Sequence, residues 1–219
     1  MRQLITCTKE MLRDRRFLKK ALMIACPVAL QGMLNTVVNM VDTLMIGGLG
    51  SSAIAAVGLA NKYFFVFNLL VFGIVSGAGI LAAQFWGNGD VKSIRKVLGL
   101  SVLLAAAGAF VFVLPGFLWP HHVMRIFTTS ESSIELGVKY LRIAVLTYPF
   151  IALTNVYVAM LRAVNRVVYP VACSCIAIAV NVALNYVLIF GKFGAPEMGV
   201  AGAACATLIA RCIEVSLIL

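Results

Sequence analysis

Six long apolar runs dominate the chain, at about residues 21–46, 53–83, 97–118, 139–161, 167–190 and 198–219. Each is near the roughly 20 residues that a helix needs to cross a bilayer. A membrane interior offers no water to backbone N–H and C=O groups, so only helices and closed barrels span it. A barrel would alternate apolar and polar residues, whereas these runs are continuous. The expected class is therefore all-α integral membrane, with six transmembrane helices. The composition fits: 12% of residues are charged and 62% apolar, against about 25% charged in a soluble domain.

The formal charge of +10 would point to nucleic acid in a soluble protein. In a membrane protein, lysine and arginine instead mark the cytoplasmic side. Residues 1–20 hold seven of them and read as a retained basic tail on the cytoplasmic side. Lys92, Arg95 and Lys96 follow the second run, and Arg162 and Arg166 the fourth. The opposite side holds Arg125, Lys139, Arg142 and Lys192. This asymmetry predicts a multi-pass protein of the cell membrane (plasma or inner) with its N-terminus in the cytoplasm and no nucleic-acid partner. The six cysteines show no CxxC or Cys/His metal spacing and read as small core residues.

The first run is unusual. Between Pro27 and Gly50 it carries Gln31, Asn35, Asn39 and Asp42. At about 100° per residue these fall near 0°, 40°, 80° and 20°, a single polar stripe on a greasy helix. A carboxylate at the centre of a membrane helix costs about 2.5 kcal/mol or more, so it faces a partner or a water-filled cavity. Asp42 is accordingly read as a proton or cation site. Asn181 and Asn185, four residues apart in the fifth run, share a helix face. Arg211 and Glu214, three apart in the sixth, are placed to pair with each other. Small residues in the second run (Gly73, Gly77, Gly79) and the sixth (Gly199, Gly202, Ala203, Ala206) predict close helix approach.

No catalytic constellation is present. The sequence contains no GxSxG, HExxH or GxxxxGK[ST] motif. The chain is not read as an enzyme, no cofactor is implied, and transport, if it occurs, would be driven by an ion gradient or by a partner chain.

The ordered set of segments resembles the N-terminal half of the multidrug and toxic compound extrusion (MATE) family. The matching text is Pro27 with VDTLMIGGLGSSAIAAVGLA, AAQFWGNGD, LRAVNRVVYP, NVALNYVLIFG and GVAGAACAT, which together cover essentially residues 20–219. The resemblance implies a twelve-helix, pseudo-two-fold transporter of two six-helix lobes, of which residues 21–219 form the first. It implies export of amphipathic drugs or toxic organic cations in exchange for Na⁺ or H⁺. It also assigns residues: Asp42 with Asn181 and Thr207 as the cation or proton site, and Pro27 as the place where the first helix bends. Some members have a second acid where this chain has Asn185. One carboxylate among neutral oxygens still suits a weak Na⁺ site, so the coupling ion stays open.

The leading expectation is thus an antiporter lobe in the lipid bilayer. Asp42, Asn181, Asn185 and Thr207 would bind the coupling ion, and the stripe of Gln31, Asn35 and Asn39 would line the substrate pathway. The chain stops at Leu219 within an apolar run, and a missing C-lobe or a second copy is expected to complete it. Two alternatives stand beside this reading: a lipid-linked oligosaccharide flippase of the same superfamily, and an inert or scaffolding half-transporter.

Overall fold

The computed structural model describes residues 15–219, and the basic segment before Arg15 lies outside the described residues. Eight α-helices succeed one another: α1 (Arg15–Gly47), α2 (Ser51–Gly87), α3 (Val91–Leu118), α4 (Pro120–Phe127), α5 (Glu131–Ala144), α6 (Tyr148–Ala163), α7 (Val168–Phe190) and α8 (Val200–Ile218). Short 3₁₀ turns at Val145–Thr147 and Lys192–Gly194 complete the described elements. Among the described residues, five segments are long and apolar enough to cross a membrane: α2, α3, α5 running through to α6, α7 and α8. Helix α1, 33 residues long, contributes the apolar stretch Ala25–Leu34 among its described side chains. The protein is a multi-pass membrane protein.

The helix boundaries arise from local chemistry. At Gly87-Asn88-Gly89-Asp90 the chain leaves α2, takes a positive φ of 71° at Gly89, and restarts on Asp90 as N-cap. Such a φ is one that glycine adopts without steric cost. Asp90 accepts from the Ser93 backbone N–H at 3.0 Å and from the Ser93 hydroxyl at 2.5 Å. These bonds hold its carboxyl below the ordinary value of 3.8. The cap's contribution is therefore complete above that range and fades as pH falls through it. Between α5 and α6, Pro149 supplies no N–H, and the helix tightens into the 3₁₀ turn. At the end of α6, Asn165 adopts φ 62°, Asn165 N–H donates to Arg162 C=O, and Arg166 N–H donates to Leu161 C=O at 2.8 Å. This is a complete Schellman stop with asparagine in the left-handed position.

Helices α2, α3, α5 and α6 enclose the main core, with α4 at one end. Phe67 of α2 stacks on Tyr148 of α6 at 4.4 Å between ring centroids, and Tyr63 donates its hydroxyl to Phe112 C=O. Helices α7 and α8 pack along each other and meet this core through α5 and α6, while α1 lies mainly against α7. Large apolar side chains such as Met33, Phe72, Leu103 and Val111 point outward, as befits a surface solvated by lipid.

Gly202 shows why α7 and α8 approach so closely. A Cβ added there would lie 2.6 Å from Leu188 O and 2.7 Å from Leu188 C, main-chain atoms that cannot rotate away. The small residues of α2 behave differently, since Gly73, Gly77 and Gly79 have open space where a Cβ would stand. The close approach expected at both places occurs within this chain only at α8. Gly202→Ala is expected to destabilise the protein by about 1–3 kcal/mol through overpacking. Gly73→Ala is expected to be neutral or slightly stabilising, by up to about 1 kcal/mol. Thermal unfolding of the detergent-solubilised complete gene product checks the contrast.

Candidate functional site

Polar residues on α7 set up the site. Ser174, Asn181 and Asn185 project within about 40° of one another on a helix of 3.6 residues per turn, and all three are buried. Helices α1 and α8 cover this face. An uncompensated amide buried there would carry a desolvation penalty of about 1–3 kcal/mol, so the neighbouring helices must supply partners.

They do so first around Asp42. Asn185 Nδ2 donates to Asp42 Oδ1 at 2.6 Å and to Asn181 Oδ1 at 3.2 Å. Asn181 Nδ2 donates to Thr207 Oγ1 at 3.3 Å, and the Thr207 hydroxyl donates to Ala203 C=O at 3.0 Å. One acceptor is left over: Asn185 Oδ1 is buried and has no hydrogen-bond donor, although Asn185 is only 1% exposed. The structure thus brings together all four residues expected to hold a cation. Their oxygens (carboxylate, amide carbonyl, hydroxyl) are hard donors suited to a small cation, or to a proton on Asp42.

Asp42, Asn181 and Thr207 line a cavity of about 400 Å³. Phe64, Phe65, Tyr140, Tyr148, Ile151 and Ile178 give it an aromatic and apolar wall, with Asn61 and Asn68 as polar points. Asn185 lies behind that wall, reaching it through Asp42. The chamber is mostly apolar, with a few placed polar groups and an acid, Asp42, whose hydrogen bond comes from an amide.

The rest of the α1 stripe lands elsewhere. Gln31, expected on a substrate pathway, is buried and does not line this cavity: it donates to Ser174 Oγ at 2.7 Å and accepts from Arg162 at 2.8 Å. A side chain bonded at both ends inside the bundle is unavailable to a passing substrate. The side chains of Asn35 and Asn39 lie outside the described residues. Pro27 sits inside α1, which continues on both sides of it. Arg211 and Glu214 do pair, at 2.6 Å, and both reach the same cavity. Sequence reading passed over Ser174, although its spacing from Asn181 and Asn185 puts it on their helix face. It also passed over Tyr140 and Tyr148, whose place on the wall depends on how α5 and α6 pack.

The MatE family model matches residues 27–187. A probable multidrug resistance protein NorM of Thermotoga maritima is 33% identical over 196 residues, which is 88% of this chain and 42% of that protein. A probable multidrug resistance protein YoeA of Bacillus subtilis is 30% identical over 184 residues, 84% of this chain and 40% of that one. The fold is similar to the outward-facing conformation of a multidrug resistance MATE family transporter of the MOP superfamily. That match has a TM-score of 0.83 at 22% identity and covers 91% of this chain and 44% of the other. The chain spans about two fifths of the length of these relatives.

Asn185→Leu is expected to leave Asp42 without its hydrogen-bond donor and to cost about 1–3 kcal/mol. Thr207→Val, at the far end of the chain of bonds, is expected to cost only about 0.6 kcal/mol. Unfolding midpoints of the two variants test this order.

Proposed function

This chain belongs to the MatE family, and from that premise we propose that it forms one lobe of a secondary antiporter. The transporter exports amphipathic, cationic compounds in exchange for Na⁺ or H⁺. The N-terminus lies in the cytoplasm, and a second lobe, from a longer chain or a second copy, closes the other side of the cavity. Relatives named as multidrug resistance proteins support the substrate class, and the excess of lysine and arginine on one side supports the orientation.

One observation carries the reading: a partly buried carboxylate, Asp42, at the wall of an aromatic cavity, backed by Asn185 with an acceptor oxygen still unfilled. A structural carboxylate in a membrane protein would be paired with a cationic side chain. The hydrogen bond given to Asp42 comes from an amide, and Arg211, ion-paired with Glu214, reaches Asp42 only through its field. A mobile cation or a proton therefore completes the site. Loading and unloading Asp42 changes what α1 gains by lying against α7, so the ion biases the equilibrium between two bundle arrangements by its differential affinity for them. A drug bound to the same cavity feels that bias, and exchange results from linkage.

The test is ethidium efflux from vesicles carrying the complete gene product, with Na⁺ and pH gradients imposed separately. Wild type is expected to follow one gradient, and Asp42→Asn to lose that dependence with at least about a tenfold lower rate, or 1.4 kcal/mol. Efflux unchanged by the substitution would remove Asp42 from the coupling mechanism. No efflux under either gradient would turn the reading to a lipid-linked oligosaccharide flippase.

A further inference from the structure

Helices α1 and α7 lie parallel and in register. Gln31 meets Ser174 and Asp42 meets Asn185, and the members of each pair are 143 residues apart. Helices α7 and α8 lie antiparallel: Ser174 meets Glu214 at a separation of 40 residues, and Asn181 meets Thr207 at 26. Two polar rungs therefore cross the same three helices, about 16 Å apart at 1.5 Å of rise per residue.

The rungs are built differently. The Asp42 rung leaves a buried acceptor, Asn185 Oδ1, unfilled. In the Gln31 rung each side-chain oxygen has a donor. Ser174 donates to Glu214 Oε1 at 2.7 Å, and Arg211 donates to Oε2 at 2.6 Å. Gln31 donates to Ser174 while accepting from Arg162, which the Schellman stop presents at the end of α6. Glu214 is 2% exposed, Ser174 4% and Gln31 8%. The Asp42 rung thus keeps an open acceptor, whereas the Gln31 rung has its acceptors filled and keeps only a buried donor, Arg162 Nε, without a partner.

We propose that Gln31, Ser174 and Glu214 are positioning residues for the coupling ion, a role that rests on the antiport proposed above. Between Gln31 and Asp42 the α1 helix contains no proline, so the segment moves as one rod. A slip of one residue would turn Asp42 by about 100° and shift it about 1.5 Å, away from Asn185. Because α1 is held mainly by α7, the Gln31 rung fixes that register at one end, while Ile46 packs in the cluster of Ile189 at the other. Without it, a smaller fraction of molecules presents Asp42 opposite Asn185, and apparent cation affinity falls by that fraction. Asp42 itself, and therefore the dependence on the ion, remains.

The experiment measures the half-saturating concentration of the coupling ion for ethidium efflux by the complete gene product. The variants are Gln31→Leu, the milder Ser174→Ala, and the two combined. Spin labels at the exposed Met33 and Ile209 report the α1–α8 distance in a cysteine-free background. Each single variant is expected to raise the half-saturating concentration about tenfold. The double variant should fall short of the product of the two single effects, since both remove the Gln31–Ser174 bond, and the label-distance distribution should broaden. Half-saturation within twofold of wild type, or additive effects in the double variant, would overturn the proposal. If wild-type efflux depends on neither ion, the antiport reading fails by itself. A distance distribution unchanged by Gln31→Leu overturns the rung in either case.

Discussion

Everything in this bundle is arranged around the need to satisfy buried polar groups on α7. A helix inside a membrane meets all its backbone bonds internally, so only side chains demand anything of its neighbours. On α7 those demands come from Ser174, Asn181 and Asn185, aligned on one face and sealed from solvent. Helices α1 and α8 answer with a carboxylate each, Asp42 and Glu214, and with Gln31 and Thr207. Apolar packing alone discriminates poorly between arrangements when the surrounding lipid is as apolar as the helix surface. The polar contacts therefore select which helices touch and in what register, and Gly202 lets the main chains of α7 and α8 come within reach of each other.

The two carboxylates show how context divides the same chemistry into different tasks. Glu214 has an arginine on one oxygen and a serine on the other, so its charge is compensated where it stands. Asp42 has an amide, and its surroundings retain an unfilled acceptor. In a low-dielectric setting that difference separates a fixed ion pair from a carboxylate held by a neutral donor.

The division of the bundle also bears on motion. The core of α2, α3, α5 and α6 is closed by aromatic stacking and by Tyr63 reaching Phe112. Helix α1 rests chiefly on α7, enters a smaller core cluster through Ile46 near its end, and meets α7 through the two polar rungs. An element held by a few discrete polar contacts can exchange one arrangement for another at modest cost. A close-packed core is far less deformable.

The sequence by itself determined the class of protein, the helical runs and the stop at Gly87-Asn88-Gly89-Asp90, because these depend only on local hydropathy, missing N–H groups and glycine's φ range. It also marked Asp42, since a carboxylate in an apolar run is costly wherever the helix packs, and paired Asn181 with Asn185 by spacing alone. Only the tertiary structure decided that Gln31 and Asp42, on one face of α1, have different fates. One is bonded at both ends; the other opens onto a cavity. The structure likewise decided that Ser174 and Arg162 join Glu214 and Arg211 in one network, that Tyr140 and Tyr148 form part of the cavity wall, and that Gly202 rather than Gly73 meets another backbone. These outcomes depend on which helix lies opposite, and the periodicity of one helix carries no information about its neighbour's register.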